Sequence, residues 1–166
     1  GMEDDSAPEV HVEITKQRFK PISLPYDLLD NKIGKPNSGD ISGRMMVIQK
    51  TLENFGIDVE MGDVSVGPTV TQFTLKPADG VKLARITTLS NDLALTLAAH
   101  PIRIEAPIPG KSLVGIEVPN QTVAIVGLRE ILESTSFKKR GSNLTICLGK
   151  YVAGAPWVAD LGKMPH

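Results

Sequence analysis

The chain has 166 residues, 41% of them hydrophobic, which is enough to build one medium-sized domain or one domain with part of another. Its 18 basic and 19 acidic side chains give a formal net charge of −1, so the chain lacks the basic excess of a tight DNA-binding domain. The single cysteine, Cys147, excludes an internal disulfide framework, and no apolar run approaches the roughly 20 residues that span a bilayer.

Residues 1–43 predict a linker that is partly disordered. Acidic side chains cluster near its start, and Pro, Gly, Asn and Ser then dominate without a sustained hydrophobic period. From Arg44 the pattern changes, because apolar side chains recur at helical spacing up to Gly56, where a helix would end. The apolar residues that predict this first helix are Met45, Ile48, Leu52 and Phe55.

Two strands, a second helix and two more strands are predicted after the first helix. Apolar and polar residues alternate over 57–61 and 71–75, as they do along a strand with one buried face. One apolar residue per turn over 86–97 predicts a single helix, and alternation resumes over 102–106 and 114–118. This order, without long βαβ crossovers, predicts an α+β domain with a mainly antiparallel sheet and two principal helices.

A second unit is predicted from residue 121 to the end of the chain. Residues 127–132 have the pattern of a short helix, and the basic residues and glycine at 138–141 predict a polar loop. Apolar runs at 144–149 and 157–159 then predict two strands. The α+β domain accordingly covers residues 44–120, and the second unit covers residues 121–166.

The Gly-Lys-Ser sequence at 110–112 has the ending of a phosphate-binding loop, in which lysine contacts phosphates and serine contacts magnesium. Such a loop needs a glycine five residues earlier, and that position is Glu105, whose carboxylate would repel phosphates. Pro107 and Pro109 also lack backbone N–H donors. Gly-Lys-Tyr at 149–151 lacks both the glycine and the hydroxyl residue Ser or Thr. Neither segment predicts a nucleotide site.

Metal and nucleophile sites are not predicted either. His11, His100 and His166 lie far apart, and no pair of ligands has metal-binding spacing. No G-x-S-x-G nucleophile elbow occurs, and Cys147, in an apolar run, fits a buried reduced thiol better than a reactive one. We therefore expect no catalytic, metal or cofactor-binding residue in this chain.

Distinctive short motifs are spaced over residues 22–166: SLPYDLL (23–29), VGPTVTQF (66–73), PADGVK (77–82), IPGK (108–111), LTICLGK (144–150) and WVADLGKMPH (157–166). Together and in this order they resemble the FtsK/SpoIIIE family of double-stranded DNA translocases. In that family the Met-Pro-His segment runs into an apolar strand and then the phosphate-binding loop. Departures are small: Tyr151 and Gly162 stand where an acidic residue and alanine are common.

The resemblance implies that the parent protein is a hexameric, ATP-driven translocase of chromosome segregation, cell division or DNA transfer. Residues 44–120 would be its alpha domain, and residues 121–166 a connecting helix and the first strands of its RecA-like ATPase domain, truncated before the Walker A loop. This part would be non-catalytic, with ATP and magnesium bound further along the parent. We expect it to be cytoplasmic, although members commonly carry an N-terminal membrane anchor.

Basic side chains are the remaining candidates for function. In a ring that threads DNA, lysines and arginines neutralise phosphates without reading bases. Ordinary solvated surface charge is the alternative for each residue, and Arg103 could instead pair with a charge on a neighbouring strand or subunit. The candidates for the DNA channel or a subunit interface are Lys82, Arg85, Arg103, Lys111, Lys138, Lys139 and Arg140.

An alternative from another class is a stand-alone, non-enzymatic assembly or binding domain whose gene encodes no motor. A phosphate loop encoded after His166 would distinguish the two. For the chain alone we expect a monomer or weak dimer, because ring closure usually needs the motor interfaces. We also expect weak, strongly salt-dependent binding to double-stranded DNA, since the net charge is nearly zero.

Overall fold

Four segments of alternating polar and apolar residues form one antiparallel sheet in the computed structural model, which describes residues 23–31 and 34–164. The spatial order is β1-β2-β4-β3, and each neighbouring pair is antiparallel. The predicted α+β class with an antiparallel sheet is therefore confirmed. The strands are β1 (Val59–Val66), β2 (Val70–Pro77), β3 (Arg103–Glu105) and β4 (Val114–Pro119).

The first helix, α1 (Ile41–Asn54), begins three residues before the predicted start at Arg44. Asp40 caps it, because its carboxylate accepts a hydrogen bond from the Gly43 N–H at 3.0 Å. Gly56 ends it with a positive φ of 68°, and its N–H donates to the Glu53 carbonyl. The predicted stop is therefore confirmed.

The single helix predicted over 86–97 is wrong, because the structure has two short helices there. They are α2 (Leu83–Thr87) and α3 (Ser90–Thr96). At the break, the Thr87 hydroxyl donates to the Ala84 carbonyl at 3.1 Å and the Thr88 hydroxyl donates to the Arg85 carbonyl at 2.9 Å. Threonine side chains that bond back to the preceding turn compete with helix continuation, whereas the apolar period runs on unchanged across both pieces.

One hydrophobic core joins the three helices to the sheet. Ile48 and Leu52 of α1 are fully buried, as are Phe73 and Leu75 of β2. Phe55, predicted on the apolar face of the first helix, instead lies just past the helix end and is 47% exposed. The other wholly buried members of this cluster are Ile86, Leu93, Ile116 and Val118. The alternation read from the sequence matches the burial of β2 only in part, because Thr74 is buried between Phe73 and Leu75. It does not match β4, which is buried on both faces from Val114 to Val118.

The second unit is a helical segment followed by an antiparallel hairpin. Its elements are α4 (Leu128–Glu133), α5 (Thr135–Lys138), β5 (Thr145–Lys150) and β6 (Pro156–Asp160). The loop predicted over 138–141 is partly wrong, since Lys138 belongs to α5. Ser134 caps α5 by accepting from the Phe137 N–H at 3.3 Å. A helix of four residues is too short to show a hydrophobic period.

The predicted linker falls mostly on residues 1–22, which lie outside the described part of the chain. Its later portion is tied to the rest of the molecule. The Asn37 N–H donates to the Thr122 carbonyl at 3.0 Å, and the Gln121 N–H donates to the Asn37 carbonyl at 2.8 Å. The segment just before α1 therefore crosses the start of the second unit.

Candidate nucleic-acid interface

Five of the seven basic candidates lie in two groups at opposite ends of the described molecule. Val59 pairs with Pro77 at one end of the sheet, and Lys82 and Lys111 lie in loops at that end. The opposite sheet end, at the β1–β2 turn, packs against the loop of the β5–β6 hairpin. Lys138, Lys139 and Arg140 precede the far end of that hairpin, where Thr145 pairs with Asp160. They cannot all contact one short stretch of a ligand.

Arg85 and Arg103 both make contacts within the domain. The Arg85 guanidinium donates to the Phe55 carbonyl at 3.0 Å, just past the C-terminus of α1, where a positive charge also favours the helix dipole. Arg103 lies opposite Glu117 in the sheet, and their charged atoms are 3.9 Å apart. Arg103 therefore pairs with a charge on a neighbouring strand, and its place in a DNA channel or a subunit interface stays a prediction.

Lys111 lies at the tip of the β3–β4 connection. The Lys111 N–H donates to the Ile108 carbonyl at 3.0 Å, and the Ile108 N–H donates to the Leu113 carbonyl at 2.8 Å. Gly110 takes the positive φ of 75° that this turn requires. The Gly-Lys-Ser sequence thus joins two antiparallel strands, whereas a phosphate loop joins a strand to a helix.

The sheet end that carries Lys82 and Lys111 also carries carboxylates. A concave surface there is lined by Asp58, Glu60 and Asp79, with Lys76 as the one cation among the residues that line it. Lys82 follows Asp79 by three residues and is exposed. The acidic side chains offset the lysines, so this end does not present a uniform positive potential.

The basic group at the far end of the hairpin has few acidic neighbours. Lys138, Lys139 and Arg140 are all exposed, and the Arg140 guanidinium lies 4.5 Å from the centre of the Phe137 ring. Lys163, in the turn after β6, lines a concave surface together with Arg140. Sequence reasoning missed Lys163, although pairing the two predicted strands as a hairpin would have brought it near residues 140–144.

A buried polar cluster holds the sheet end nearest the hairpin. The Thr71 hydroxyl donates to the Asn120 side-chain oxygen at 2.7 Å, and the Asn120 amide donates to the Gly67 carbonyl at 2.8 Å. The Asn120 backbone N–H also donates to Thr69 at 2.9 Å. Asn120 is only 8% exposed. It therefore joins the end of β4 to the turn between β1 and β2.

That turn touches the second unit directly. A Cβ atom at Gly67 would lie 1.9 Å from the Val152 carbonyl oxygen in the hairpin loop. Nearby, the Ala124 N–H donates to the Pro68 carbonyl at 2.8 Å, and Lys150 forms a partly buried ion pair with Glu130. Backbone packing and a hydrogen bond form the joint between the two units. The Lys150–Glu130 ion pair links β5 to α4 within the second unit.

Cys147 is half-buried in β5, and burial raises the pKa of its thiol, while the nearby Arg140 charge opposes this shift. A raised pKa leaves less thiolate at neutral pH than a free cysteine has. Within residues 23–31 and 34–164, no group of three or more His, Cys, Asp or Glu side chains has metal-binding geometry. Nor does that part of the chain contain a helix long and apolar enough to cross a membrane.

A comparison with known families matches residues 25–120 to the FtsK alpha domain. The chain belongs to this family. The resemblance inferred from the motifs is therefore confirmed. The match begins at residue 25, so it includes Asn37, whose backbone pairs with Thr122 of the second unit. It ends at Asn120, whose side chain donates to the Gly67 carbonyl in the turn between β1 and β2.

Proteins named "DNA translocase FtsK" are similar over most of this chain. The one from Caldanaerobacter subterraneus subsp. tengcongensis is 54% identical over 144 residues, which cover 86% of this chain and 20% of that protein. The one from Clostridium tetani is 42% identical over 99% of this chain and 23% of its own length, and the one from Staphylococcus epidermidis is 38% identical over 100% and 20%. The chain thus spans about a fifth of the length of these curated relatives.

Proposed function

We propose that this FtsK alpha-domain chain is a non-catalytic part of an ATP-driven double-stranded DNA translocase of chromosome segregation, cell division or DNA transfer. The observation that carries the proposal is its similarity, at 38–54% identity, to DNA translocases of which it covers about a fifth. Its role would be to pack at one end of a hexameric ring and help form the DNA channel, in the cytoplasm.

The described structure supports a parent in which the alpha domain and the ATP-binding unit are separate parts of the chain. The alpha domain has its own hydrophobic core, and the β5–β6 hairpin begins a second sheet. Isolated two-stranded hairpins are marginally stable, and Leu144, Leu148 and Trp157 are each about half exposed. Such a hairpin is suited to continue into a larger unit. ATP and magnesium would be bound in that unit, by residues outside this chain.

The test of the proposal uses the parent protein. Sequencing the gene past the codon for His166 comes first, because an apolar strand followed by G-x-x-x-x-G-K-[ST] is expected there. The purified parent should then hydrolyse ATP faster when duplex DNA is added, and it should displace a third strand from the duplex. Replacing the lysine of that phosphate loop is the matched control, and it should abolish both activities.

A stop codon at that position would contradict the proposal and favour a motorless assembly or binding domain. So would a parent whose ATP hydrolysis is unaffected by duplex DNA. Sedimentation of this chain alone should give a monomer or weak dimer, because we assign ring closure to the motor interfaces. A stable hexamer formed by the chain alone would overturn that assignment.

A further inference from the structure

We infer that the cationic surface formed by Lys138, Lys139, Arg140 and Lys163 is where this chain contacts the phosphodiester backbone of duplex DNA. The sheet end that carries Lys82 and Lys111 lies outside that contact. This inference rests on the proposed function, since it names the DNA-facing surface of the same chain. We call these four residues the hairpin-end surface.

The two ends of the molecule differ in their local net charge. The hairpin-end surface borders two concave regions that share Arg140 and Gly141, one of about 360 Å³ that also includes Lys138 and one that also includes Lys163. Among the residues that line these regions Asp160 is the single acid, and its carboxylate accepts the Gly162 N–H at 3.0 Å. At the other end three carboxylates line a concave surface that includes one lysine, Lys76, and these carboxylates would repel phosphate.

The hairpin-end lysines are also uncommitted. Elsewhere in the described chain Arg103, Arg129 and Lys150 each pair with a carboxylate. No ion pair within residues 23–31 and 34–164 involves Lys138, Lys139 or Lys163. The same holds for Lys82 and Lys111, so the two ends differ in their neighbouring carboxylates and not in the pairing of their lysines. A lysine without an internal partner can neutralise an external phosphate and release its counterion, with no salt bridge to break first.

The loop that presents these cations is ordered by its own contacts. Arg140 stacks on Phe137 and donates to the Phe137 carbonyl at 3.4 Å. The Ser142 hydroxyl accepts from the Leu144 N–H at 3.1 Å, and the Ser142 carbonyl accepts from the Thr145 hydroxyl at 2.9 Å. A loop held in this way loses less conformational entropy when it binds.

The chemistry fits backbone contact without base reading. Lysine, arginine, serine and asparagine side chains are the donors that commonly contact phosphate oxygens, and Ser142 and Asn143 border the same concave region. The surface is exposed and lies on a four-residue helix and loops at the open end of the β5–β6 ribbon. The closed tip of that ribbon packs against the β1–β2 turn and is not free to enter a groove. Contact of this kind is independent of sequence, as a translocase that travels along any DNA requires.

A pair of matched double variants of the full 166-residue chain tests the inference. K138Q/K139Q removes two charges from the hairpin-end surface, and K82Q/K111Q removes two from the opposite end. Affinity for a short labelled duplex is measured by fluorescence anisotropy across a series of low salt concentrations. Each phosphate contact contributes about 0.9 to the slope of log K against log salt. We expect K138Q/K139Q to lower that slope by about two and K82Q/K111Q to leave it unchanged.

Equal losses for the two variants, or a larger loss for K82Q/K111Q, would overturn the inference. So would a wild-type chain that does not bind the duplex at low salt. Polyglutamate at matched charge should compete poorly, and equal competition would point to an acidic protein partner instead. Thermal unfolding should be the same in both variants, because all four lysines are exposed. These failures would leave the DNA-dependent ATP hydrolysis of the parent unaffected, so the proposed function is tested separately.

Discussion

The α carbon of Gly67 faces the carbonyl oxygen of Val152 so closely that an added Cβ atom would lie 1.9 Å from that oxygen. This contact joins the turn between β1 and β2 to the loop between β5 and β6. Both partners at the contact are backbone, so neither can move aside by changing a side-chain rotamer. A side chain at position 67 is therefore incompatible with the observed packing of the two units.

Gly67→Ala should lower the free energy of unfolding by about 1–3 kcal/mol, because the methyl group forces the hairpin loop away from the turn. Thermal or urea unfolding measures the change, and hydrogen exchange should show faster opening of β5 and β6. Gly141→Ala is the matched control, since no atom outside its neighbours lies within 4 Å of a Cβ placed there. Equal stability of the two variants would contradict the described joint.

Asn120→Ala should cost about 1–3 kcal/mol of stability, because it leaves the Thr71 hydroxyl and the Gly67 carbonyl without their buried partner. A double-mutant cycle with Thr71→Val separates this contact from the rest of the substitution. The two changes should be less than additive, since each removes the same hydrogen bond. Simple additivity in urea unfolding would show that Asn120 and Thr71 are not coupled.

Arg85→Ala should reduce stability by about 0.5–1.5 kcal/mol through loss of the hydrogen bond to the Phe55 carbonyl. Its affinity for duplex DNA should not change, because we assign DNA contact to the hairpin-end surface. Lys82→Ala removes the same charge three residues away and should alter stability by less than about 0.5 kcal/mol. An unchanged melting temperature with weakened DNA binding in Arg85→Ala would reverse this assignment.

Cys147 should react slowly with a maleimide or disulfide reagent in the native chain at neutral pH, because burial raises its pKa and little thiolate is present. Unfolding in urea should accelerate the reaction. The same shift predicts that stability decreases as the pH rises above about 9. There the unfolded thiol has already lost its proton while the folded thiol retains it. A Cys147→Ser variant should lose this contribution to the pH dependence.

Much of the fold could be predicted from hydrophobic periodicity. Alternation located the four strands of the sheet, apolar runs located both strands of the hairpin, and Gly56 marked the end of α1. The break at Thr88 could not be predicted in this way, because Ile86, Leu89 and Leu93 keep one apolar period across it. Local hydrogen bonds from threonine hydroxyls decided the outcome there.

Less of the candidate site could be predicted, because charge along a sequence does not reveal what surrounds each charge in space. Seven basic residues qualified equally, yet strand pairing places Glu117 beside Arg103, and the packing of α2 near the end of α1 places the Phe55 carbonyl beside Arg85. Lys163 is brought near Arg140 only by the β5–β6 hairpin. The role of Gly67 depends on a contact between segments 85 residues apart, which no local pattern encodes.

The two outer strands of the sheet are poorly suited to accept another strand. β1 has a register shift between Met61 and Val64 with exposed Asp63 beside it, and β3 has only three residues, two of them charged. Bulges, charges and short edges all discourage strand addition. These edges therefore disfavour strand exchange and fibril formation between copies of this domain, even where the copies are held at high local concentration.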